Sequence, residues 1–187
     1  MRKIFKSTTS KIVPVVLSAS ILAGGLVGSA YAATQGTIGA TSTGAVSISV
    51  VLGTLARVTS LDDISFGTWS GTGDLSVADD ICVWVSGGGY EVTAEGNGTG
   101  NAFELTNGSD TINYTVKWDD VAGSTSGSTM TSGSTLGSQT SSATSTDCDG
   151  GSGTMTATVQ VDIAEAELGA AGSGAYNGVL TLLIAPE

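Results

Sequence analysis

The sequence predicts an all-β sandwich or barrel, made of short strands joined by polar turns. The composition is one reason: Gly, Ser, Thr and Val are abundant, Leu, Lys, Arg and Gln are thin, and proline occurs only at Pro14 and Pro186. Such a mixture favours strands and turns over helices. The second reason is that apolar residues repeat with period two in several separate segments, the pattern of a half-buried strand. The third is that turn-forming clusters fall between those segments, as in sandwiches and barrels.

Taken in order, the chain opens Met1, Arg2, Lys3, Ile4, Phe5, Lys6, continues through an apolar stretch over residues 12–27, and reaches Ala30, Tyr31 and Ala32 before Ala33. A basic start, an apolar middle and a small-x-small exit describe a secretory signal peptide over residues 1–32. A membrane anchor is the competing reading, since the stretch approaches the length of a bilayer span. Pro14, Gly24 and Gly25 interrupt it. Cleavage after Ala32 would leave residues 33–187, a size suited to one domain.

Alternating strands are expected at Val46, Ile48, Val50 and Leu52, at Ile81, Val83 and Val85, along Ile112, Tyr114, Val116 and Trp118, at Ala157, Val159, Val161 and Ile163, and at Leu180, Leu182 and Ile184. Turns are expected at residues 71–74, 87–89, 96–101, 107–108 and 169–174. Residues 122–152 break the pattern. They are almost wholly Ser, Thr and Gly, with isolated Met130, Leu136 and Gln139. So little apolar surface offsets ordering entropy poorly, which predicts a long surface loop or a weak edge hairpin inside one domain. One helical turn is expected within residues 163–171.

Removal of the leader takes Arg2, Lys3, Lys6 and Lys11 with it, leaving two basic residues, Arg57 and Lys117, against 17 acidic ones, a net charge of −15. A surface this acidic repels phosphate backbones and anionic headgroups, so no nucleic-acid or peripheral membrane binding is expected. The chain has no histidine. That removes the usual general base, the Ser-His-Asp and Cys-His arrangements and the commonest metal ligand. The expectation is a protein that is not an enzyme and holds no cofactor or metal.

Cys82 and Cys148 are the only two cysteines. In an exported chain an even pair reads as one disulfide, contributing ~4 kcal/mol in the chain-entropy model. A two-cysteine metal or redox site would need closer spacing.

The two ends of the expected mature chain look like partners with no evident place for both in one closed sandwich. Residues 33–45 are Thr, Gly and Ser-rich with Ile38 as the one large apolar residue, and the alternating run 46–52 follows. The chain closes on a strand over residues 175–187 that is apolar on both faces. A bare edge of that kind is a template for further strand pairing.

Four stretches carry a resemblance to a known family: Thr43-Gly44-Ala45-Val46-Ser47-Ile48-Ser49-Val50; Ile64-Ser65-Phe66-Gly67; the Cys82 strand running into Gly89-Tyr90-Glu91-Val92; and Gly174-Ala175-Tyr176-Asn177-Gly178-Val179-Leu180-Thr181-Leu182. Together they resemble major subunits of chaperone-usher fimbriae, particularly the archaic, spore-coat-U-like and related alternative branches. The resemblance covers the expected mature chain, although no cysteine follows the first stretch as it often does in archaic subunits.

What the resemblance implies is an incomplete immunoglobulin-like sandwich completed by donor-strand exchange, with residues 33–52 as a detachable N-terminal extension and 53–187 as the sandwich domain. Val46, Ile48, Val50 and Leu52 would be donor residues, while Leu180, Leu182 and Ile184 would line the acceptor groove. The implied partners are a periplasmic chaperone, an outer-membrane usher and identical subunits. The implied product is a cell-surface fibre, reached through a periplasmic stage, that supports adhesion or biofilm formation. If 46–52 were instead the first strand of a complete sandwich, the donor would be the weaker 33–45.

A second reading is a monomeric secreted binding module, with Trp69, Trp84 or Trp118 stacking on sugars; tryptophan in a sandwich more often packs in the core. Asp147-Cys148-Asp149-Gly150 resembles part of a calcium loop but lacks the remaining ligand positions.

Overall fold

The computed structural model describes residues 33–187. The expected leader, residues 1–32, lies outside the described residues. The chain divides into two compact units, one ending at Val51 and one spanning Leu52–Glu187.

The first unit contains no strand among its described residues, only a two-residue bridge. Thr34 N–H donates to the Ala45 carbonyl at 2.9 Å and Ala45 N–H to that of Thr34 at 3.0 Å, closing a loop of small polar residues. Ile38 within that loop is fully exposed.

The second unit is an immunoglobulin-like sandwich of antiparallel sheets. In chain order the strands are β1 (Ala56–Thr59), β2 (Leu75–Val85), β3 (Gly89–Gly96), β4 (Glu104–Thr106), β5 (Thr111–Asn113), β6 (Thr115–Asp119), β7 (Ser128–Thr129), β8 (Thr135–Thr140), β9 (Ala157–Ile163) and β10 (Leu180–Pro186). One sheet has the order β1-β2-β9-β6-β7, a second β10-β3-β8, and β4 and β5 form a separate hairpin. One short helix, α1 (Glu165–Ala170), precedes β10, where a single helical turn was expected.

Period-two alternation builds the core. Tyr90, Val92 and Ala94 of β3 are buried while Glu91, Thr93 and Glu95 are half-buried. Ala157, Val159, Val161 and Ile163 of β9 point inward across from β2, with Val159 opposite Asp79 and Val161 opposite Val77. Gly87 and Gly88, both at positive φ, turn β2 into β3, a conformation that carries no steric penalty without a Cβ. The core of β2 is buried on both faces around Cys82, whose disulfide to Cys148 covers the outer side.

Two expectations are refined. The run along 112–118 is not one strand: Tyr114 N–H makes the last bond to the β4 side, to the Phe103 carbonyl at 3.0 Å, and from Thr115 onward the chain pairs with β9, starting opposite Asp162. The two rings, Phe103 and Tyr114, stack with centroids 5.5 Å apart. The Ser/Thr/Gly segment supplies an edge strand to each sheet, β7 beside β6 and β8 beside β3. Its rare apolar residues explain this, because Met130 is buried in the core and Leu136 is half-buried against it. Acidic side chains hold β8 in place: Ser138 N–H donates to the Glu187 carboxylate at 2.9 Å and Thr140 N–H to that of Asp120 at 2.8 Å.

Candidate functional site

β10 pairs with β3 along its whole length, from Leu180 opposite Gly96 to Pro186 opposite Tyr90. Among the described residues no strand pairs with its other edge. Leu180, Leu182 and Ile184 alternate inward and are half-buried, whereas Thr181 and Leu183 point outward.

Beside Leu180 and Leu182 opens a groove of about 1170 Å3. Its deepest residues belong to the core itself: Ile112, Tyr114, Val159, Val161 and Ile163. Half-buried side chains rise around them. Ile64, Phe66 and Trp69 come from the segment joining β1 to β2, Leu105 from β4, Leu168 from α1, and Tyr176 from the segment before β10. These contributions are held in place locally. Trp69 Nε1–H donates to the Gly73 carbonyl at 2.9 Å and Tyr176 O–H to that of Gly172 at 2.9 Å. Thr106 and Asn177 exchange backbone hydrogen bonds that tie the last segment to β4. Complete sandwiches bury such residues on all sides; here the core is open along one side.

The groove also carries charge. Asp62, Asp63 and Asp79 line it, and the Asp62 N–H donates to Asp79 Oδ2 at 2.9 Å. Burial pushes the Asp79 carboxyl above the usual carboxylate range; the Asp62 N–H works against this and the charges of Asp62 and Asp80 add to it.

Of the residues singled out in the sequence, Cys82 and Cys148 are joined in a disulfide. Leu180 and Leu182 share the groove, and Ile184 continues their row on β10 without lining it. Val46, Ile48 and Val50 fall in the first unit, outside any strand, and are 73 %, 91 % and 80 % exposed. Leu52, at the start of the second unit, is 87 % exposed. Of the three tryptophans, Trp69 lines the groove and Trp118 is buried in the core. Sequence reasoning did not pick out Leu105, Leu168 or Asp79. Asp79 had a readable signal, since it interrupts the inward row Leu75, Val77, Ile81.

Neither a family model nor a curated protein matches the sequence. Among solved structures, the chain is similar to a chain of the chaperone-tip adhesin complex that is vital for synergistic activation of CFA/I fimbriae biogenesis, with 17 % identity and a TM-score of 0.50. At that identity the likeness is one of fold. The match covers 71 % of this chain and 41 % of that one, so this chain spans about two fifths of its neighbour's length.

Proposed function

We propose that this protein is a structural subunit of a bacterial surface fibre, exported and polymerised by donor-strand exchange, with no catalytic role. The observation that carries the reading is the groove beside β10. A sandwich whose core is open along an unpaired edge strand has the shape of a fold waiting for one more strand.

The donor is residues 46–52 of the next subunit, which present Val46, Ile48, Val50 and Leu52 on one face. Seven residues match the seven of β10. Main-chain hydrogen bonds to β10 supply affinity, and burial of four aliphatic side chains contributes on the order of 6 to 10 kcal/mol before ordering costs. Because each subunit gives a strand and takes one at a different surface, association does not close and a filament results. A chaperone strand would occupy the same groove in the periplasm, consistent with a fold found in a fimbrial chaperone-adhesin complex. Adhesion or biofilm support follows from display of the fibre at the cell surface.

The test is electrophoresis of purified residues 33–187, unboiled and non-reduced, beside a form lacking residues 33–52. A ladder of detergent-resistant multimers that collapses to monomer on deletion is the expected result. A stable folded monomer in the longer form would overturn the fibre and favour a secreted binding module.

A further inference from the structure

Asp79 stands where the alternation of β2 calls for an apolar side chain. Leu75, Val77 and Asp79 are half-buried and Ile81 is fully buried, while Ser76, Ala78 and Asp80 are exposed on the other face. Across from Asp79, β9 presents the uncharged Val159, with Val161 next in its inward row. From the segment after β1 it faces Asp62, whose N–H it binds, and Asp63 also lines the groove. Asp80, on the opposite face of β2, is engaged by Thr158 and the Gly123 N–H. Neither Arg57 nor Lys117 lines the groove.

Residues 33–52 contain no charged side chain. A strand drawn from them expels water from around Asp79 and brings no cation in exchange. An unpaired carboxylate loses its hydration at high cost, whereas the protonated carboxyl loses much less and can donate its own hydrogen bond.

We propose that Asp79 makes occupancy of the groove acid-dependent: the neutral carboxyl admits the apolar strand, and the carboxylate opposes it. This rests on the fibre reading given above. The carboxyl, already pushed upward by burial in the open groove, moves further when the strand seats, and strand binding therefore takes up a proton as pH falls through the carboxylate range. A seated strand that raises this pKa by a further pH unit changes the occupancy equilibrium by about tenfold.

The experiment follows multimer formation by the full mature chain between about pH 4.5 and 8, on unboiled gels, for the parent, D79N, D79E and D149N. The side-chain amide oxygen introduced by D79N would still accept the Asp62 N–H, so the groove wall is retained. D149N removes one exposed charge outside the groove and reports the general effect of reducing repulsion between acidic subunits. The expected result is a ladder about tenfold richer at the acid end for the parent, D79E and D149N, and nearly pH-independent for D79N. A D79N profile that follows the parent, or a D149N profile flattened to the same degree, overturns the proposal while leaving the fibre standing. Absence of a ladder in the parent at every pH overturns the fibre reading and this proposal with it.

Discussion

Tyr90 and Trp118 meet edge to face in the core, one from each sheet, with ring centroids 6.3 Å apart and planes at 81°. They are 0 % and 1 % exposed, and neither Tyr90 Oη nor Trp118 Nε1 has a hydrogen-bond partner among the described residues. The pair joins the sheets through ring surface, not through its polar atoms. Tyr90→Phe removes an unsatisfied hydroxyl and keeps the ring, so stability should change by less than about 1 kcal/mol, in either direction. Tyr90→Ala should cost about 3–5 kcal/mol. Guanidinium unfolding of the two variants beside the parent decides it, and equal losses would show that the hydroxyl has a partner after all.

The same tyrosine sets an alkaline limit. Burial, with smaller contributions from Asp120 and Asp119, pushes its phenol up to about 12, against the pull of the nearby Trp118 indole N–H, which falls short of hydrogen-bond geometry. The ordinary phenol titrates near 10 in an unfolded chain. Below about pH 10 both states hold the proton and stability has its full value; between about 10 and 12 the unfolded chain ionises first and stability falls. Unfolding midpoints measured at rising pH should decline through that window, and less steeply in Tyr90→Phe. Tyr114, also raised by burial, accounts for part of what remains.

Cys82 is fully buried on β2 and Cys148 is 4 % exposed, in a turn at positive φ. Their bond pins the segment between β8 and β9 against the outer face of β2, where Thr156 Oγ1 and Ser141 Oγ also bind the Val83 carbonyl. Cys82→Ala with Cys148→Ala should lower stability by about 2–5 kcal/mol. It should also open residues 141–155 to proteases before the strands. Uniform proteolysis of both forms would show that the hydroxyl contacts suffice alone.

Strands with a large residue at every second position were legible: the inward rows of β9 and β10 read directly from Val159, Val161, Leu180 and Leu182. β7 and β8 were not, because their side chains are mostly hydroxyls and their placement depends on two buried or half-buried residues, Met130 and Leu136, and on carboxylates distant in sequence, Asp120 and Glu187. The break at Tyr114 was hidden for a related reason. Alternation continues through it: Tyr114 still bonds to Phe103 in the β4 register, and only the pairing of Thr115 with Asp162 on β9 shows that the chain changes partners. Of the groove, the β10 side was legible from its apolar row. The opposite side comes from elements with no long apolar row: Ile64, Phe66 and Tyr176 stand in segments outside any strand or helix, and Leu168 in the six-residue α1.

Donor and acceptor surfaces on one chain can be disabled separately, which gives the proposed assembly a directional test. Ile48→Asp places a charge on the donor face and leaves Leu180 and Leu182 intact. Leu182→Asp places one in the groove lining and leaves residues 46–52 intact. Burial of either charge unpaired is costly, so each variant alone should stay monomeric. Mixed, the Leu182→Asp subunit can still donate to the groove of the Ile48→Asp subunit, and the product cannot grow at either end. Unboiled gels of the mixture should show a dimer and no higher rung, the signature of a heterologous head-to-tail contact. A ladder in the mixture, or a dimer from either variant alone, would place the contact on some surface other than the β10 groove and residues 46–52.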